Sequence, residues 1–77
     1  MRRMDADSIR KLCRQVPFQP FTLRLADGRA LDVPHPEFIL VSSRGRQVIV
    51  DSREDMFEIV DVPLILSAEV RGSGVVF

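Results

Sequence analysis

Few side chains in this 77-residue sequence can carry chemistry, and His35 is the first of them. It is the only histidine, it lies between Pro34 and Pro36, and Glu37 follows two positions later. A histidine beside a carboxylate can titrate near neutral pH and transfer a proton. Catalysis also needs a nucleophile or a metal, and the neighbouring sequence offers neither. We therefore expect His35 and Glu37 to contact a partner or to support the fold.

Cys13 is the second candidate. It is the only cysteine of the chain, so it can form neither an intramolecular disulfide nor, without a second thiol or a histidine cluster, a structural zinc site. It falls on the apolar positions of a helical pattern, which favours a buried and inert thiol. The nearby Arg10 and Arg14 leave a reactive, electropositive thiol open as the alternative.

Two carboxylates, Asp51 and Asp55, bracket a polar turn. The segment lacks the D-x-D-x-D-G spacing with which a calcium loop gathers oxygen ligands, so a solvated acidic turn is the preferred interpretation. With no motif for a metal, a cofactor or a catalytic group, the sequence predicts a protein that is not an enzyme.

Four arginines fall on predicted outward strand positions or turn tips, where folding could gather them into one basic surface. They are Arg24, Arg29, Arg44 and Arg46. The chain has no Trp or Tyr, and its five Phe are assigned to the core, so the aromatic platform that stacks single-stranded bases is missing. The isoelectric point of 6.6 also lies well below the value of about 9 typical of nucleic-acid-binding domains. A solvated surface is favoured, and nucleic-acid binding is the alternative.

The elements that must position these residues belong to one small domain, since 77 residues are too few for two cores. Hydrophobic and charged fractions of 45% and 29% are those of a globular chain. No apolar run approaches the roughly 20 residues of a membrane span, and no signal peptide is recognisable. We expect a cytoplasmic protein without membrane contact.

Net charge is zero but unevenly distributed. Residues 1–16 carry five basic and two acidic side chains, whereas residues 47–77 carry two basic and six acidic ones. The sequence thus predicts an electrically asymmetric molecule.

A helix over about residues 6–15 opens the domain. Asp5 or Asp7 can cap its start, and Pro17 ends it. Its apolar stripe, at the spacing i, i+3, i+4, i+7, comprises Ile9, Leu12, Cys13 and Val16.

A β-hairpin follows. Phe21, Leu23 and Leu25 alternate with polar residues, as in a half-buried strand. Asp27-Gly28 predicts a two-residue type I′ turn, and the returning strand buries Leu31 and Val33 before the prolines at 34 and 36 end it.

The remaining pattern predicts further short strands at 38–41, 47–51 and 56–60. The first is expected to be buried on both faces or strongly bent, and the last to place Phe57 and Ile59 on one face. A 3₁₀ turn within 63–66 precedes a final strand at about 67–71.

The predicted fold class is mainly β with one N-terminal α-helix, as a small antiparallel five-stranded SH3-like or Sm-like barrel over about residues 20–71. The apolar end of the tail, residues 72–77, is expected either to pair with an edge strand or to lie disordered.

The run PFQPFTLRLADGRALDVPHPEF, residues 17–38, resembles a family of small uncharacterised bacterial proteins that share a Pro-Phe linker, a hairpin centred on DGR and a V-x-H-P-E segment. This resemblance supports the fold and implies no activity. A looser architectural similarity is to Sm-like and SH3-like barrels. The Lys-His pair that Sm-like RNA chaperones carry near their last turn corresponds here to Val62-Pro63-Leu64, which disfavours RNA binding.

The function that these observations favour is a non-catalytic protein-interaction module, whose partner is a second copy or another protein. It would associate through edge strands or the C-terminal segment, because apolar surface left exposed on a small domain marks an interface. The alternative is an Sm-like or SH3-like nucleic-acid binder that uses its arginines.

Overall fold

The computed structural model describes residues 4–52 and 56–71. The chain order is one α-helix, α1 (Ala6–Cys13), then β1 (Phe21–Leu25), β2 (Ala30–Val33), a first 3₁₀ turn (Pro36–Phe38), β3 (Ile39–Val41), β4 (Gln47–Ser52), β5 (Met56–Asp61), a second 3₁₀ turn (Val62–Leu64) and β6 (Ile65–Val70). The prediction of a mainly β fold with one N-terminal helix is confirmed.

The strands form two antiparallel sheets of three. The first sheet has the order β2-β1-β6, and the second has the order β3-β4-β5. Among the described strands no ladder joins the two sheets, so they do not form a closed barrel, and the predicted number of five strands is wrong, since there are six. The six strands lie close to the six segments that the pattern indicated one by one, and Pro34 and Pro36, which cannot donate to a ladder, separate β2 from β3.

The second 3₁₀ turn joins the sheets instead. The Val62 amide donates to the carbonyl of Arg46 at the start of β4 (2.8 Å), and the Leu64 carbonyl accepts from the Ala26 amide beyond β1 (2.8 Å). One turn thus holds the edges of both sheets together.

Helix α1 starts where the sequence predicts. Asp5 is its N-cap, and its carboxylate accepts from the Ser8 amide at 2.8 Å. The helix ends at Cys13, two residues earlier than predicted. Val16 is 95% exposed and does not continue the buried stripe. The chain turns away here so that the Phe18 ring reaches Phe21, with their centroids 5.9 Å apart.

The β1–β2 hairpin is confirmed in position, and its register places Leu23 opposite Leu31. Its turn differs from the prediction. The Gly28 amide donates to the Leu25 carbonyl and the Leu25 amide to the Arg29 carbonyl, so the connection has three residues, 26–28. This is a three-residue connection closed by a glycine at φ +92°, rather than a two-residue type I′ turn.

The core lies between the two sheets and α1. Its most deeply buried side chains come from all three, and they are Ile9, Leu12, Phe21, Leu23, Val33, Val48, Val50 and Ile65. Leu31 is only partly buried, at the margin of this core. One continuous apolar cluster therefore holds the described chain together.

Arg10 attaches the helix to the β3–β4 turn. Its guanidinium donates to the Ser42 carbonyl at 3.0 Å and to the Ser43 carbonyl at 3.4 Å. At Gly45 of that turn, a Cβ would come within 2.9 Å of the Ala6 Cβ. The helix and this turn are thus in direct contact.

Candidate functional site: the apolar face of the second sheet

The outward side of the second sheet is apolar. Strand pairing places Leu40 opposite Ile49 and Ile49 opposite Ile59, so these three side chains form a row across the three strands. Phe57 lies two residues from Ile59 along β5, on the same side. We call these four residues the apolar face: Leu40, Ile49, Phe57 and Ile59.

Most of the apolar face is exposed to solvent. Phe57 is 70% exposed, Ile59 65% and Leu40 63%, whereas Ile49 at the centre of the row is partly buried. Their neighbours Ile39, Val48, Val50 and Val60 point to the core. Of the two alternatives predicted for 38–41, burial on both faces is wrong, since Ile39 is buried and Leu40 is not. The assignment of all five Phe to the core is wrong for Phe57.

A shallow depression of about 520 Å³ adjoins the apolar face at the end of the sheet where β3 begins. Its walls include Phe38, Leu40, Ile49 and Phe57, and Glu37 and Asp51 lie at its rim. The His35 ring packs against Phe38 with the centroids 5.8 Å apart. The structure thus places His35 and Glu37, both exposed, beside the apolar face.

The four candidate arginines do not share one environment. Arg24 on β1 makes two hydrogen bonds to the Glu69 carboxylate on β6, at 2.6 and 3.2 Å. Arg29 binds Asp27 at 2.8 Å and Glu58 of β5 at 2.7 Å. Two of the candidate cations are therefore neutralised by carboxylates rather than presented to a phosphate.

These ion pairs also shift the pKa of the groups that form them. The hydrogen bond and charge of Arg24 hold the pKa of Glu69 below its ordinary value, and the Glu69 carboxylate in turn raises the pKa of Arg24. Hydrogen bonds from the Arg29 amide and guanidinium lower the pKa of Asp27. The carboxylates are thus the more firmly ionised for being paired.

Arg44 and Arg46 lie in the β3–β4 turn, and both are exposed. Within residues 4–52 and 56–71 neither side chain has a carboxylate within 4.0 Å, unlike Arg24 and Arg29. They are at the opposite end of the second sheet from Glu37 and Asp51, because β4 runs from Gln47 at the turn to Ser52. Asp61 lies at the same end as these arginines, opposite Gln47. One end of the second sheet therefore carries Arg44 and Arg46 with Asp61, and the other carries Glu37 and Asp51, with the apolar row between them.

Cys13 is half-buried and packs against the core. Burial raises the pKa of its thiol, and the charge of Arg14 offsets part of that rise. The thiol is consequently protonated near neutral pH, which agrees with an inert side chain.

In the described part of the chain no three His, Cys, Asp or Glu side chains are grouped so as to hold a metal ion. Asp55, one of the two carboxylates of the acidic turn, lies outside the described residues. No helix in residues 4–52 and 56–71 has the length and apolarity needed to cross a bilayer.

Sequence reasoning did not find the apolar face, although a signal was present. Leu40-Val41, Val48-Ile49-Val50 and Ile59-Val60 are apolar at consecutive positions, and consecutive residues of a strand point to opposite faces. Both faces of this sheet therefore had to be apolar, and a 77-residue domain has only one core to cover one of them.

Comparison with known proteins adds no assignment. No family model, no curated protein and no solved structure gives a significant match to this chain. The resemblance of residues 17–38 to a family of small bacterial proteins stays a prediction.

Proposed function

We propose that this protein is a non-catalytic interaction module that self-associates through the apolar face of its second sheet. The observation that carries the proposal is the solvent-exposed row of Leu40, Ile49 and Ile59 with Phe57 beside it. A contiguous apolar surface on a small domain is a common mark of a protein interface. The helix, hairpin and 3₁₀-turn order is compatible with an SH3-like or Sm-like architecture, which remains a prediction.

Charge placement favours a second copy as the partner. If two sheets pack face to face about a two-fold axis that runs across the strands, along the row of Leu40, Ile49 and Ile59, the end of one copy with Arg44 and Arg46 meets the end of the other with Glu37 and Asp51. The same surface is then used by both copies, as a two-fold interface requires. Opposite charges at the rim fix the orientation, while the apolar row supplies most of the free energy.

The free energies of burial and of association predict a dimer whose population depends on protein concentration. Full burial of a Leu, Ile or Phe side chain is worth about 1.5–3 kcal/mol, and the exposed part of each residue of the apolar face contributes a fraction of that. Association costs about 4–15 kcal/mol in lost freedom and ordering. Gain and cost are of similar size, so we expect a reversible dimer rather than an obligate one.

Light scattering coupled to size-exclusion chromatography tests this proposal. We expect the mass of the unaltered chain to rise from monomer toward dimer as concentration increases. Ile59→Lys should keep the chain monomeric at every concentration, because it places a charge within the apolar contact. Val16→Lys is the matched control, since it makes the same kind of change at an exposed apolar residue outside the second sheet. A strict monomer for the unaltered chain up to about millimolar concentration, well above typical weak affinities, contradicts the proposal.

A charge exchange tests the two-fold orientation separately. Arg46→Glu alone and Glu37→Arg alone should each weaken the dimer, and the two changes together should restore it. High salt should reduce the difference among these variants, because rim charges are screened. If the double variant is no better than either single one, the orientation is wrong even where the dimer itself persists.

Nucleic-acid binding through the arginines has less support in the structure, because Arg24 and Arg29 are occupied by carboxylates. Affinity for mixed RNA or DNA at low salt, where phosphate contacts are strongest, would revive that alternative.

A further inference from the structure

A groove opens between the free edge of β2 and the second sheet. Its volume is about 380 Å³, within the range of about 300–1,000 Å³ typical of ligand pockets. Leu31 and Pro34 line it on the side of β2, and Phe38 and Val50 line it on the side of the second sheet. None of the four residues of the apolar face lines this groove, although Phe38 borders both surfaces.

The free edge of β2 presents backbone hydrogen-bonding groups to the groove. Among the described strands β2 pairs with β1 alone. The hydrogen bond from the Leu25 amide to the Arg29 carbonyl sets the alternation of the ladder, which turns the backbone groups of Leu31 toward β1. The N–H and C=O groups of Ala30 and Asp32 are thereby directed away from β1, and both residues line the groove. An extended segment can therefore pair there as an added strand.

Charge at the groove selects the kind of segment. The Asp32 carboxylate accepts a hydrogen bond from the Thr22 hydroxyl at 2.8 Å and lies 3.6 Å from the Arg71 guanidinium. Within residues 4–52 and 56–71 no basic group lies within 4.0 Å of the Asp51 carboxylate, which borders the groove on the side of the second sheet. Two carboxylates and one guanidinium thus give the groove a net negative charge, which a basic segment complements.

We infer that the groove binds an extended segment of a partner protein in which apolar and basic side chains alternate. Residues directly opposite one another on adjacent strands point to the same face, so the residue opposite Leu31 turns its apolar side chain inward onto Phe38 and Val50. Its neighbours in the segment point outward, where Lys or Arg can reach the carboxylates of Asp32 and Asp51.

A second copy is a poorer occupant of this groove. Pairing of β2 with the β2 strand of another copy would bring two negatively charged margins together, which opposes association. The proposed dimer uses the apolar face, so the inference about the groove does not rest on it.

An NMR titration of the full chain at low protein concentration tests the inference. The probes are capped peptides of about seven residues, within the usual range of strand lengths, in which Lys alternates with Val, with Leu or with Phe. We expect at least one of them to slow amide hydrogen exchange at Ala30 and Asp32 and to shift the methyl signals of Leu31 and Val50. The same peptides with Glu in place of Lys are the matched controls, and they should bind at least about fivefold more weakly.

Two pairs of variants locate the binding site. Ala30→Pro removes a backbone donor of the free edge at the first residue of a strand, where proline is tolerated, and should weaken peptide binding about three- to tenfold. Ala30→Val keeps the donor and should bind as the unaltered chain does. Asp51→Lys should weaken binding of the Lys peptides and strengthen binding of the Glu peptides. Glu37→Lys makes the same change at a carboxylate outside the groove and should alter neither affinity by more than about twofold.

Other outcomes overturn the inference. Absence of binding by every peptide up to about millimolar concentration means that the edge accepts no added strand. Amides of Ala30 and Asp32 that are protected without peptide mean that the edge is already covered, by a second copy if the protection falls on dilution. Methyl shifts confined to Leu40 and Ile59 mean that the peptide lies on the apolar face. Equal affinities for the Lys and Glu peptides mean that charge does not select the segment.

Discussion

The first and second sheets each contribute one buried face to the same core, but their outward faces differ in chemistry. On the first sheet outward polar side chains pair with one another across the strands. The Thr22 hydroxyl donates to the Asp32 carboxylate at 2.8 Å, and Arg24 binds Glu69 on the next strand. On the second sheet the corresponding central row is Leu40, Ile49 and Ile59. Cross-strand pairs within the first sheet thus occupy its outward polar groups, whereas the second sheet presents the apolar face for which we propose a partner.

The largest expected effect on stability comes from comparing one leucine of each sheet. Leu23 on β1 is fully buried, whereas Leu40 on β3 is 63% exposed. We expect Leu23→Ala to lower the free energy of unfolding by about 2–5 kcal/mol, from lost burial and a residual cavity. Leu40→Ala should change the stability of the monomer by no more than about 0.5 kcal/mol. Urea denaturation at low protein concentration measures both.

If Leu23→Ala does not fold, Ile65→Val provides a milder cut in the core of the first sheet, with an expected loss of about 0.5–1.5 kcal/mol. A loss for Leu40→Ala as large as for these core variants would contradict the outward placement of the apolar face.

The second test compares the hairpin turns of the two sheets. Gly28 and Gly45 both have positive φ, +92° and +71°, so alanine at either is expected to cost about 1–2 kcal/mol. A Cβ at Gly28 meets no atom within 4 Å, whereas one at Gly45 meets the Ala6 Cβ at 2.9 Å. Gly45→Ala should therefore be the more destabilising in thermal or urea unfolding, since the helix must move. Equal losses would show that the helix yields without cost.

The smallest effect concerns acid stability of the first sheet. The pKa of Glu69 is lowered in the folded chain, so its ion pair stabilises fully above the ordinary carboxyl pKa, near 4.3. That contribution is lost as pH falls through the lower, folded value. The unaltered chain should consequently lose more stability below about pH 4 than Glu69→Gln does. Glu69 is solvent-accessible, so the difference is small.

Urea titrations at a series of pH values give this difference. Glu37→Gln, which removes an exposed carboxylate outside the first sheet, is the matched control and should retain the loss that Glu69 contributes. A Glu69→Gln variant that declines in parallel with the unaltered chain would mean that the pair with Arg24 has no thermodynamic effect.

Local signals were sufficient for much of the fold. Asp5 and the spacing of Ile9 and Leu12 predicted the helix, and alternation from Phe21 to Leu25 predicted the hairpin and its buried face. These elements are decided by near neighbours in sequence. The turn type was wrong because it depends on where the ladder ends, and the sequence Asp27-Gly28 suits either connection.

The candidate site was less predictable for a physical reason. Ile59 and Val60 of β5 are both apolar, and only the position of the sheet over the core decides that Val60 is buried while Ile59 is exposed. The arginines show the same limit, because the partners of Arg24 and Arg29, Glu69 and Glu58, lie 45 and 29 residues away. The charge asymmetry seen along the sequence is partly cancelled by these pairs.

The contact between α1 and the β3–β4 turn has a consequence for the order of folding. A helix of eight residues is well below the roughly 12–15 that give an isolated helix even marginal stability. Its Arg10 side chain donates hydrogen bonds to the carbonyls of Ser42 and Ser43, which lie 32 and 33 residues further along the chain. Helix α1 therefore becomes stable only after the β3–β4 hairpin has formed. We expect α1, although first in the sequence, to be among the last elements to form during folding, with low φ-values for substitutions at Ile9.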